Sequence, residues 1–190
     1  MNAAATRLNP ARPAWPAAVG PATPPGPVAR PCGPATASGP ATASDPAAPS
    51  GPADLGEAAI VVGGGHGIGS LESFALVGRL ADALGGVAGG SHTAAELGWC
   101  PPAARVDQTG HVVHPRLYVA LGISGSVRHR AGMRGAEAVV AVDRDPDAPI
   151  LRLADLGVVG DLHQIVPELI AEIARRRARP VIATPDPPEA

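Results

Sequence analysis

The chain has 190 residues, with 24 Gly, 23 Pro, 2% aromatic residues and a formal net charge of −2. With 15 basic and 17 acidic residues, it shows no basic stripe able to grip a nucleic-acid backbone beyond the short run Arg175, Arg176, Arg177 and Arg179. Every basic residue is Arg, which excludes lysine Schiff bases and the lysine-dependent phosphate loop.

Residues 1–54 hold 13 of the 23 prolines and 16 alanines without apolar periodicity. Such a segment buries too little surface to offset chain entropy, so a disordered arm is predicted. Its tandem GPATAS copies at 33–38 and 39–44 read as linker. Arg7 and Arg12 precede the first acid, Asp45, as in organelle transit peptides, but the proline density opposes the amphipathic helix such peptides form. No apolar run approaches the roughly 18 residues of a membrane span, and no continuous secretory segment opens the chain. Cys32 and Cys100 make neither a CxxC pair nor a disulfide framework, so a reducing, cytoplasmic setting is expected. Residues 55–180 are predicted to be the folded domain and 181–190 a flexible tail.

From residue 58 strands and helices alternate, the mark of an α/β, three-layer, doubly wound, mostly parallel sheet of Rossmann-like type. A strand at 58–62 runs into the glycine loop 63–70, and Leu71, Phe74, Val77, Leu80 and Leu84 then recur at helical spacing. Residues 86–90 suggest a second strand. Thr93-Ala94-Ala95-Glu96 has capping-box form, placing a helix start near residue 94. Residues 99–116 are predicted loop, 117–123 (LYVALGI) a buried strand, 127–133 a helix, and 138–142 a strand closing at Asp143. Residues 151–153 and 158–159 are short strand candidates. The stripe from Leu162 to Ile173 marks a final helix that Pro167 should kink or restart.

In such a sheet, ligands sit beyond the strand C-termini. The loops there, 63–70, 91–92, 108–110, 124–129, 143 and 161, are rich in glycine and hydroxyls, which suits a phosphate-bearing nucleotide approached by backbone amides. The first loop is not a dinucleotide fingerprint: Ser70 stands at the third glycine position, and no acid ends the second strand.

The segment LYVALGISGSVRHRAG at 117–132, followed after six residues by VVAVD at 139–143, resembles the signature of the electron transfer flavoprotein alpha subunit. Gln108-Thr109-Gly110, Asp145-Pro146, Asp161-Leu162 and Val166-Pro167-Glu168-Leu169 agree with it. The likeness spans residues 58–173, the family's C-terminal FAD-binding domain, a sheet of the DHS type. The resemblance implies FAD held by Ser124, Gly125, Ser126, Val127, Arg128 and His129, with the amides of Gly125, Ser126 and Val127 facing its phosphates. His129 would lie near the flavin N1 and C2 carbonyl, where reduction deposits negative charge that a cation steadies. Gln108 and Thr109, in the segment with Val106 and Asp107, would meet the opposite edge of the ring. Ser91 would be a further flavin contact, and Asp161 with Leu162 would meet the adenosine end.

Four positions depart from the family pattern. His66 and His92 stand where most members have arginine, Arg128 replaces the usual Gln, and Asp143 replaces Asn. Titratable groups thus replace permanent charges, which implies a flavin potential more sensitive to pH near neutrality. The family's N-terminal domain, which packs against the beta subunit, is replaced here by the arm.

The resemblance implies an electron carrier that takes electrons from acyl-CoA or other dehydrogenases and pairs with a beta-type subunit. The alternatives are a stand-alone module binding FAD or AMP, and a nicotinamide-dependent enzyme. No nucleophile, base and orienting group stand out together, which places the enzyme last. His111 and His114 lack a carboxylate or thiolate companion at metal-ligand spacing, so they read as surface histidines. His129 taken alone reads as a helix-start or surface histidine. Trp99 and Cys100 read as packing residues, and Asp145-Pro146 as a turn.

Overall fold

Strands buried on both faces need apolar side chains pointing both ways, and here successive residues divide between two cores. The computed structural model describes residues 5–8 and 55–178. Strands β1 (Ala5–Leu8), β2 (Ile60–Gly64), β3 (Val87–Gly90), β4 (Leu117–Leu121), β5 (Ala138–Asp143) and β6 (Leu156–Val159) form one sheet in the order β1-β6-β5-β4-β2-β3. The pairs among β2 to β6 are parallel, and only β1 runs antiparallel, against β6. Tyr118, Ala120, Val139 and Ala141 face one core, while Val119, Leu121 and Val142 face the other.

The second core lies under two long helices, α1 (Leu71–Leu84) and α5 (Leu162–Ala178), through Phe74, Val77, Leu80, Leu162 and Val166. Three short helices complete the chain: α2 (His92–Glu96), α3 (Val127–Met133) and α4 (Pro149–Leu153). Of these, α3 and α4 cover the first core through Met133, Ile150 and Leu151. The result is the expected three-layer, mostly parallel α/β fold.

Local readings differ in four places. Ala5–Leu8, assigned to the disordered arm, pairs with β6; the rest of residues 1–54 and the 181–190 tail lie outside the described residues. Residues 151–153, read as a strand, belong to α4, because Pro149 at its first turn presets helical φ and a single turn buries Ile150 and Leu151. α2 is capped by Ser91, whose Oγ accepts from the Ala94 amide at 3.2 Å, and not from the capping box at Thr93. The reason is that β3 ends at Gly90 and the chain turns at once. Finally, Pro167 lies inside α5, which forms without a restart.

The parallel strands follow the 2-1-3-4-5 order of doubly wound sheets, so the chain leaves β2 toward opposite sides of the sheet. The switch point falls between β2 and β4. Their two C-terminal loops meet there. Gly67 N donates to Gly122 O at 2.9 Å, and Gly122 has φ +59 with the Gly67 backbone against the place where a Cβ would stand. Only glycine satisfies both demands.

Candidate functional site

A cleft of about 300 Å³ opens at this switch point. It is lined by His66 and Gly67 after β2, Ser91, His92 and Thr93 after β3, Gly122, Ile123, Ser124, Ser126 and His129 after β4, and Asp143 at the end of β5. The loops are held by bonds that extend the sheet's ladder and, at Ser124, by a bond from α4. Ser91 N donates to Gly64 O at 2.8 Å, Gly122 N to Val142 O at 2.9 Å, and Ile150 N to Ser124 O at 3.1 Å. Ser126 caps α3, its Oγ accepting from His129 N at 3.4 Å. Thus the sheet, not the loops themselves, sets the cleft's shape.

Of the residues predicted to form a site, His66, Ser91, His92, Ser124, Ser126, His129 and Asp143 line the cleft together. Val106 and Asp107 are fully buried behind it. Gln108 and Thr109 are exposed in the adjoining turn, and the Gln108 amide donates to the Arg128 carbonyl at 3.1 Å. Gly125 packs against Ile150. Val127, 72% exposed, borders a separate, larger groove of about 590 Å³ between α3 and α4, with Met133, Val139 and Arg130. That groove lies away from the loops that meet at the switch point. Asp161 is held by Arg144 at 2.7 Å, and this hydrogen bond with the His163 amide keeps its carboxyl below the usual range. The Leu162 side chain is buried in the second core, leaving only its backbone to meet a ligand.

Asp107 anchors the wall. Its Oδ1 accepts from the Thr109 amide at 2.7 Å, the Thr109 hydroxyl at 3.0 Å and the Gly110 amide, while Oδ2 faces Arg105 Nε at 3.0 Å and His92 Nδ1 at 3.4 Å. Burial works to raise its pKa, but the amides of Gly110 and Thr109, the Thr109 hydroxyl and the Arg105 charge prevail and hold it below the usual carboxylate value. His92 Nε2 lies 3.2 Å from both Glu96 Oε1 and Arg128 Nη1. Arg128 can only donate and the carboxylates only accept. The Arg128 contact therefore takes the Nε2 lone pair of a neutral ring, and no aligned hydrogen bond joins Nδ1 to Asp107 Oδ2.

His129 is 2% exposed, with Nε2 3.0 Å from the Tyr118 hydroxyl. Burial pushes its pKa down to about 4, although the Val106 backbone and Asp107 pull it upward. A surface histidine is thus ruled out, and near pH 7 the imidazole is neutral in this structure, where a cation was expected. Trp99 stacks on His66 at 6.1 Å between ring centroids, and Cys100 is buried with its thiol pushed up to about 11 by desolvation. Among the described residues no cluster of three His, Cys, Asp or Glu could hold a metal ion, and no helix is long and apolar enough to cross a membrane.

Sequence reasoning missed Thr93, Gly122 and Ile123 as cleft residues, and Tyr118 as the partner of His129, while Gly67 falls in the glycine loop it had named. Tyr118 carried a usable signal. It is the single tyrosine of the chain and stands in an otherwise aliphatic strand.

Residues 54–134 match the electron transfer flavoprotein FAD-binding domain. The resemblance to the electron transfer flavoprotein alpha subunit holds for this domain. The chain is similar to the protein FixB of Clostridium saccharobutylicum, 49% identical over 119 residues, which are 63% of this chain and 36% of that protein. It is 48% identical over 124 residues to the electron transfer flavoprotein subunit alpha of Mycobacterium leprae (strain TN), covering 65% of this chain and 39% of that subunit. To the mitochondrial subunit alpha of Arabidopsis thaliana it is 42% identical over 124 residues, 65% of this chain and 34% of that one. The chain therefore spans less than two fifths of these relatives.

The cleft suits the cofactor that gives the domain family its name. Three serines offer hydroxyls, the 66–67 and 122–124 backbones approach closely, and His129 Nδ1 is buried without an aligned hydrogen-bond partner. At about 300 Å³ it stands at the small end of ligand sites, enough for one portion of a dinucleotide.

Proposed function

We propose that this chain holds FAD in the rim cleft as the alpha-type subunit of an electron carrier, taking electrons from acyl-CoA or other dehydrogenases in the cytoplasm. A beta-type subunit would complete the assembly. The observation that carries this reading is a cleft at the sheet's switch point, lined by serine hydroxyls, close-packed glycine backbone and a buried histidine, within a domain matching the FAD-binding family.

Bound FAD supplies the group that accepts and returns electrons; the residues of this chain bind and tune it. His66, Ser91, His92, Ser124, Ser126 and His129 supply donors from three loops. Asp143 repels phosphate and accepts from hydroxyls, so it suits a sugar or ribityl contact. Arg128 places permanent positive charge beside His92 at the cleft mouth. Ser126 and Val127 are exposed at the start of α3, behind buried Gly125, and Asp161 with the Leu162 backbone would meet the adenosine portion. Val106, Asp107, Gln108 and Thr109 form the wall opposite.

The test is the absorbance spectrum of the purified protein, alone and co-expressed with a beta-type subunit, followed by FAD titration. A flavin spectrum that bleaches on reduction is expected. Colourless protein that binds only adenine nucleotides would favour the stand-alone nucleotide module, and hydride exchange with NADH would favour a nicotinamide enzyme.

A further inference from the structure

Tyr118 and His129 form a polar pair inside an otherwise apolar core. The Tyr118 hydroxyl is fully buried, 3.0 Å from His129 Nε2, with the two rings edge to face at 5.9 Å. Room for it comes from the neighbouring strand, because a Cβ at Gly63 of β2 would collide with the phenol oxygen. The side chain therefore leans along its strand toward the rim, where α3 delivers His129. Among the described residues the hydroxyl has no hydrogen-bond partner other than His129.

That geometry leaves one economical arrangement of protons. Burial raises the Tyr118 pKa, so the phenol keeps its proton. If Nε2–H donated to the phenol oxygen, the phenol's own proton would be stranded in the core without an acceptor. If the phenol donates, its proton is satisfied and Nε2 is the acceptor. A neutral imidazole then carries its hydrogen on Nδ1. The Val106 backbone is the ring's other polar neighbour and favours a proton on it, while Nδ1 makes no fully aligned hydrogen bond.

We infer that Tyr118 is the positioning residue of His129, donating to Nε2 and so fixing the Nδ1–H tautomer, which pre-sets the imidazole as a hydrogen-bond donor. The part of this inference that concerns a flavin acceptor rests on the function proposed above; the tautomer does not. The Val106 backbone and the charge of Asp107 both favour protonation of the ring. Tyr118 itself is sealed from the cleft and acts only through the imidazole.

The experiment is 15N NMR of histidine-labelled, full-length protein without cofactor at pH 7, reading the two ring nitrogens of His129 in the wild type and in Tyr118→Phe. The wild type should show Nδ1 protonated and Nε2 bare, and Tyr118→Phe should lose that preference with its circular dichroism unchanged. A wild-type ring protonated at Nε2, or an unchanged tautomer in a folded Tyr118→Phe protein, overturns the inference. Should Tyr118→Phe fail to fold, the wild-type spectrum alone still decides the tautomer. Failure to bind FAD in a parallel titration would remove the proposed cofactor and leave the tautomer result standing.

Discussion

The two faces of the sheet are built to different ends. Under α1 and α5 the core is apolar throughout, with Phe74, Val77, Leu80, Leu121 and Val166 closed over by helices of 14 and 17 residues. Under α3 and α4, helices of 7 and 5 residues leave the sheet more thinly covered, and this face carries the Tyr118–His129 pair; Gly132 of α3 packs against buried Asp107. Buried polar groups cost stability unless they are paired, and the Tyr118–His129 pair marks where this face accepts that cost.

The sharpest way to break this contrast is a large-to-small change on the apolar face. Leu80→Ala should cost about 2–5 kcal/mol in urea unfolding, with the FAD affinity of the folded fraction unchanged. A second test is pH. The folded His129 titrates near 4 and the unfolded near 6.5, so the unfolded chain binds more protons between these values. The contribution of neutral His129 is complete above pH 6.5 and drains away as pH falls toward 4, by up to about 3 kcal/mol. Unfolding curves from pH 7 to 4 should show this slope, and His129→Gln should flatten it.

Asp107→Ala should cost about 2 kcal/mol, because it orphans the Thr109 and Gly110 amides and the inward side of Arg105. The depressed carboxyl contributes above pH 3.8 and loses that contribution as pH falls through its lower folded value. Asp107→Asn should therefore soften the acid limb of the stability curve. The smallest effect belongs to the cap of α2: Ser91→Ala should cost about 1 kcal/mol. If Ser91 also meets cofactor, FAD affinity should fall by more than thermal stability accounts for, as compared by calorimetry.

Much of the fold was legible because its signals are local. The strand at 117–121 announces itself as a continuous apolar run, and the helix at 127–133 follows a loop of small residues. Residues 151–153 misled because the alternation Leu-Arg-Leu suits a strand or one helical turn equally, and burial of Ile150 and Leu151 on one side of α4 decided between them. The strand at 5–8 was hidden for a different reason. It pairs with β6 across some 150 residues of sequence, and no local pattern in an Ala-rich and Pro-rich segment reports such a pairing.

The site divides in the same way. Sequence by itself determined the chemistry on offer: a chain without lysine, rim loops of glycine, serine and histidine, and the run from Leu117 to Gly132 that carries the family resemblance. Tertiary structure alone decided that His129 is buried and neutral, that Tyr118 reaches it across Gly63, and that His92 stands between two carboxylates and an arginine. The physical reason is that the charge and tautomer of a histidine follow from desolvation and from partners brought in by other strands and helices, and neither is written in its immediate neighbours.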